Sequence, residues 1–137
     1  MKRINFKQIL VLLLVVLASL AAAFVFWAQD ASQPTQTALD KMLTSEKVRV
    51  SQEAGLLTFE PVSGAKSTGF IFYPGGRVDY RAYSPVLSLI AEKGYFVVVV
   101  PMPLNLAFFN LNGADQVISA YPDIEHCVIG GHSLGGV

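Results

Sequence analysis

The sequence has few of the residues that staple or metallate small proteins: one cysteine, Cys127, and two histidines, His126 and His132, in 137 residues. A single thiol cannot close an internal disulfide, and this set is too small for a structural zinc site, so no metal is expected. Charge is scarce too. Charged side chains are 15% of the chain, ten basic and ten acidic, for a formal net charge of zero. That balance excludes the basic footprint of a nucleic-acid binder. A 53% hydrophobic content at zero net charge excludes a disordered chain. The length allows at most one modest domain.

Acidic residues are missing altogether before Asp30, while Lys2, Arg3 and Lys7 stand at the start. Between them runs Ile9 to Ala28, in which Ser19 is the only polar residue. As a helix these twenty residues would span about 30 Å, the thickness of a bilayer core. The flanking cations belong on the cytoplasmic side, and Phe24, Phe26 and Trp27 gather at the far end, where aromatic rings favour the membrane interface. The expected organisation is a basic cytoplasmic end over 1–8, a transmembrane signal anchor over 9–28, a linker over 29–46 and an extracytoplasmic domain over 47–137. A cleaved secretory signal is the alternative, with Ala21-Ala22-Ala23 as its site, although its apolar core usually runs only 7 to 15 residues. No cysteine stands just after the run, where a lipoprotein anchor requires one. A helix that is apolar all round would also suit a buried core, but it has no solvent face to present.

From Ala31 to Asp40 the chain turns to Ser, Gln, Thr and Pro34, which reads as an exposed linker lifting the next segment off the membrane. Beyond it, Val48 and Val50 alternate with polar neighbours and Leu56 to Phe59 follows Glu53-Ala54-Gly55, a hairpin pattern. Gly69 to Tyr73 reads as a third strand, ended by Pro74-Gly75-Gly76. Ser84-Pro85 supplies a cap and a first-turn proline for a helix that Gly94 stops. Tyr95 to Val100, with four consecutive valines, suits a strand buried on both faces of a parallel sheet. Ala114 to Tyr121 reads as a second helix and Cys127 to Gly130 as a fifth strand, with Cys127 expected in the core. Strands separated by helices imply parallel crossovers and an α/β fold.

After that strand comes Gly131-His132-Ser133-Leu134-Gly135-Gly136. A serine in Gly-x-Ser-x-Gly at a strand end sits on a tight, strained turn, and glycine on either side lets strand and following helix approach. The Leu134 N–H would then face developing negative charge. A second glycine pair, Gly75-Gly76, follows an earlier strand and can turn another N–H toward the serine.

Three segments, Phe72-Tyr73-Pro74-Gly75-Gly76-Arg77-Val78-Asp79, Val99-Val100-Pro101-Met102-Pro103-Leu104-Asn105-Leu106 and Gly130-Gly131-His132-Ser133-Leu134-Gly135-Gly136, agree in order and spacing with one family. Through them the chain resembles the α/β-hydrolase superfamily, within it the bacterial alpha/beta hydrolase fold-5 group, over roughly 48–137. The resemblance implies the N-terminal half of an α/β-hydrolase sheet, no cofactor, and an ester, thioester or amide as small-molecule substrate. It also implies Ser133 as nucleophile, with oxyanion donors from the N–H groups of Leu134 and of Gly76, or of Arg77 if the register is one off. Dehalogenase chemistry is disfavoured, because it uses an aspartate where Ser133 stands.

Other residues carry weaker readings. Met102 and Asn105 follow the valine strand at the edge where α/β ligands bind, and either line a pocket or simply end the strand. Asp79 and Arg81 read as a solvated structural pair. His132 reads as the variable position of the elbow rather than a base, since adjacent side chains diverge on so sharp a turn. His126 lies at the wrong end of the fifth strand to reach Ser133. In this superfamily the acid and histidine follow the serine, and only four residues do so here. The chain is therefore expected to be an N-terminal fragment of a membrane-anchored serine hydrolase, inactive as it stands. A non-catalytic membrane-tethered pseudoenzyme or binding module is the alternative.

Overall fold

The computed structural model describes residues 5–64 and 67–137; Lys2 and Arg3 of the basic end lie outside the described residues. Helix α1, Phe6–Gln29, opens on a capping box in which Asn5 and Gln8 exchange backbone and side-chain hydrogen bonds. Apart from Ala28, its residues are exposed, and it is long and apolar enough to cross a membrane.

The segment expected to stand off as a spacer is docked instead. The Ser32 N–H donates to the Arg77 carbonyl at 2.8 Å and the Asp79 N–H to the Ser32 carbonyl at 3.0 Å, an isolated parallel bridge between Ser32 and Val78. Thr35 then caps the short helix α2, Gln36–Asp40, and buries Ala38. A polar composition made this stretch look solvated, yet its contacts run through backbone groups that composition does not reveal.

The sheet has five strands: β1 Val48–Glu53, β2 Leu56–Pro61, β3 Thr68–Tyr73, β4 Phe96–Val99 and β5 His126–Gly131. Their spatial order is β1-β2-β4-β3-β5. The first two form an antiparallel hairpin across Ala54 and Gly55, both at positive φ (50° and 78°), the backbone that a two-residue turn requires. β2 pairs antiparallel with β4, while β3 pairs parallel with β4 on one side and with β5 on the other. The valine strand is central and divides its side chains: Phe96 and Val98 join one buried cluster, Val97 and Val99 another on the opposite face. Helices α3, Ser84–Ala91, and α4, Gly113–Ala120, are the crossovers, with Leu87 and Ala91 packed in one cluster and Ala114 and Val117 in the other. This is the mixed α/β sheet that the sequence implies.

Two local expectations change. Cys127 is exposed, as are Val128 and Ile129, because β5 forms the sheet edge among the described residues. Ser84 does not cap α3. It already has helical φ and ψ, and its hydroxyl donates to the Arg81 carbonyl at 2.7 Å, because a 3-10 turn, Tyr80–Tyr83, runs straight into the helix. Asp79 caps that turn, accepting from the Arg81 N–H at 2.9 Å while its two oxygens accept from the Arg81 guanidinium at 2.9 and 2.6 Å.

The hydrogen bonds from the Arg81 side chain hold the Asp79 carboxyl below the usual carboxylate range. With its folded value depressed, Asp79 contributes stability that is present above the unfolded value, about pH 4, and lost as pH falls through the folded one. Solvent reaches the partly exposed Arg81 and screens the pair, so cap and ion pair together are worth no more than about 1 kcal/mol. In Asp79→Asn, denaturant titrations at pH 7 and pH 3 should differ less than in the wild-type chain.

Candidate active site

The carboxyl ends of β3, β4 and β5 deliver three turns to one edge of the sheet. Tyr73 and Gly131 are paired in register at the last rung of β3 and β5, and the His132 N–H donates to the Tyr73 carbonyl at 3.1 Å. The chain then reverses into a 3-10 turn, Ser133–Gly136, closed by the Gly135 N–H donating to the His132 carbonyl at 2.9 Å. Ser133 is exposed and has φ 49°, the left-handed region that a residue with a side chain seldom adopts.

Glycine is obligatory around this turn. A Cβ on Gly131 would collide with the Gly135 carbonyl, and one on Gly135 with the carbonyl oxygens of Tyr73 and Pro74, so backbone meets backbone where no methyl fits. Leu134 is thereby carried across to the β3 turn: a Cβ built on Gly76 would lie 3.0 Å from a Leu134 methyl. The N–H groups of Gly76 and Leu134 donate to no protein group among the described residues. The Arg77 N–H, in contrast, donates to the Asn105 carbonyl at 2.8 Å, so the one-off register would require breaking that bond.

The remaining candidates separate. Met102 is buried among Val100, Ala107 and Ala114 and serves the core. Asn105 is half-buried in a strained turn, Pro103–Asn105, where it and Leu104 have φ of 54° and 53°. Besides receiving the Arg77 N–H, it donates its side-chain amide to the Ala28 carbonyl at 3.4 Å. It therefore ties the β3 turn to the end of α1. His126 opens β5 and Ser133 lies just past its other end, about 20 Å away along an extended strand.

His132 turns away from the serine. Its Nδ1 shares a 2.9 Å hydrogen bond with the Tyr83 hydroxyl, which also accepts from the Gly75 N–H at 3.1 Å. Tyr83 packs against Phe72 on its other side, ring centroids 4.9 Å apart. This tyrosine bridge between the two glycine turns was missed from the sequence, in which no motif singles out Tyr83. Arg77 was undervalued as well. Its guanidinium lies 4.8 Å from the Trp27 ring centroid and donates to the Asp30 carbonyl at 2.7 Å and carboxylate at 3.1 Å.

The site has an exposed hydroxyl on a strained turn, packed through Leu134 against a second turn, and the N–H groups of Leu134 and Gly76 are unengaged among the described residues. Such donors can hold an oxyanion. Among the described residues, the Ser133 hydroxyl makes no hydrogen bond to an imidazole or a carboxylate.

A family model described as "Alpha/beta hydrolase family" matches residues 69–137, from β3 to the last residue of the elbow turn and beyond. Searches of curated proteins and of solved structures gave no match.

The close backbone contact makes a sharp test. Gly135→Ala should destabilise the chain by about 3 kcal/mol, because the colliding atoms are main-chain carbonyls that cannot swing aside. Gly136→Ala, whose Cβ would meet the Gly131 carbonyl at 3.3 Å, should cost less than about 1 kcal/mol. Denaturant unfolding of the two variants measures the difference.

Proposed function

The chain belongs to the alpha/beta hydrolase family, and on that footing we propose that it carries the nucleophile and oxyanion hole of a membrane-anchored serine hydrolase acting by acyl transfer. The carrying observation is the strained Ser133 turn packed through the Leu134 side chain against the Gly76 turn, with the N–H groups of Leu134 and Gly76 donating to no protein group among the described residues. The Ser133 hydroxyl attacks the carbonyl carbon of an ester, thioester or amide, and its proton passes to a histidine base. The carbonyl oxygen becomes an oxyanion between the two N–H groups. Collapse expels the leaving group with that proton, and water then releases the acyl group from the serine.

In this reading Ser133 supplies the attacking atom and Leu134 and Gly76 form the hole, while no described histidine serves as base at Ser133, since His132 is engaged by Tyr83 and His126 lies at the other end of β5. Without a base the hydroxyl keeps its proton and is a weak nucleophile, so the 137-residue chain should turn over little or no substrate. The anchor reading rests on the apolar length of α1, the cations before it and the aromatic rings at its far end. It puts the sheet on the extracytoplasmic side; a cleaved signal would release it.

A fluorophosphonate probe on the purified chain tests this reading. Labelling should be barely detectable in plain buffer, rise about tenfold when imidazole is added as an external base, and vanish in Ser133→Ala. Equal labelling of wild type and Ser133→Ala in imidazole would remove Ser133 as the nucleophile. Robust Ser133-dependent labelling without imidazole would show that the chain contains its own base.

A further inference from the structure

Between Lys93 and Asp115 the sequence has no charged side chain. Past β4 this neutral stretch forms a loop whose turn, Ala107–Phe109, is followed by Asn110 and Leu111. Phe108, Phe109 and Leu111 are 49%, 47% and 71% exposed. Soluble domains seldom leave large apolar side chains clustered in solvent without a use for them.

This surface is continuous with the end of α1. The Phe109 ring meets Phe24 edge-on at 6.5 Å and Phe108 at 4.5 Å, and Phe24 in turn lies 5.9 Å from Trp27. The contact is held from both sides. Asn105 reaches the Ala28 carbonyl, Arg77 grips Asp30 and covers Trp27, and Ser32 bridges to Val78. Helix and domain therefore have a fixed relation at this point, unlike two bodies on a flexible tether.

Depth follows from helical rise. Phe24 lies five residues before Gln29, the last residue of α1, hence about 7.5 Å below the helix end. A ring packed beside Phe24 is carried to the same level. Apolar faces of interfacial segments sit about 5–10 Å into the boundary between headgroups and acyl chains.

We infer that the loop from Ala107 to Leu111 is a membrane-contact surface, with Phe108, Phe109 and Leu111 seated in the headgroup and acyl boundary of the bilayer that α1 crosses. The inference rests on the reading of α1 as a membrane span. Its occupant is lipid: the loop carries no charge to pair with a protein partner, and the surface it extends is the span's own aromatic end. The Ala107–Phe109 turn also packs against the Ser133–Gly136 turn, so the seat brings the elbow to the lipid surface.

Trp27 is the only tryptophan, which allows a clean test. The full chain is reconstituted into phosphatidylcholine vesicles whose acyl chains are brominated near the headgroup, and tryptophan quenching is measured. Native Trp27 is one probe; Phe109→Trp and Leu111→Trp, each in a Trp27→Phe background, are the others, so that one misfolded variant leaves a second. The inference expects both loop probes to be quenched within about twofold of Trp27. Quenching of Trp27 with both loop probes unquenched would overturn it while leaving the span intact. The same pattern in a reconstituted dimer would assign the surface to a second copy and overturn it equally. Absence of quenching at all three positions would overturn the span and the inference together.

Discussion

Where β5 ends, the backbones of Gly131 and Gly135 and the carbonyls of Tyr73 and Pro74 approach so closely that no side-chain carbon fits among them. That contact sets the rest of the site. It forces the chain to reverse at Ser133 with a left-handed φ, which leaves the hydroxyl exposed at the sheet's edge. It also carries the Leu134 side chain against Gly76, so that two turns from distant parts of the sequence meet. The parallel pairing of β3 with β5 is what makes this meeting possible, because it aligns Tyr73 with Gly131 at the final rung.

A second set of bonds holds the Gly76 turn in place. Arg77, itself at φ 54°, is gripped through its N–H by Asn105, through its carbonyl by Ser32 and through its guanidinium by Asp30 and Trp27. Strained backbone persists only where surrounding contacts over-determine it, and here several do. The residues that order the Gly76 turn thus come from the end of the apolar helix as well as from the sheet. The end of α1 and the Gly76 turn are parts of one packed unit at this corner of the fold.

Much of this was legible because local chemistry and tertiary demand agree. Pro74-Gly75-Gly76 ends β3, the valine run is buried on both faces of the sheet, and the glycines flanking Ser133 stand where backbones touch. The misreadings share one cause, dependence on neighbours remote in sequence. Cys127 looked like core because its strand is apolar, but burial requires a covering layer, which β5 lacks among the described residues. The 31–40 stretch is largely exposed, as its polar side chains imply, but it does not stand off, because Ser32 docks through its backbone. The Tyr83 bridge joins residues 49 apart, and no spacing rule predicts such a pair. Nor does chain order disclose that β4 lies between β2 and β3.

The N–H groups of Gly76 and Leu134 are free of protein partners among the described residues while those of their neighbours are bonded. Residue-resolved amide hydrogen exchange by NMR, on the full chain in detergent micelles, measures this directly. Exchange should be rapid at Gly76 and Leu134 and slow at Arg77, His132 and Gly135, whose N–H groups donate to Asn105, Tyr73 and His132 respectively. Protection at Gly76 or Leu134 equal to that of Arg77 would contradict it.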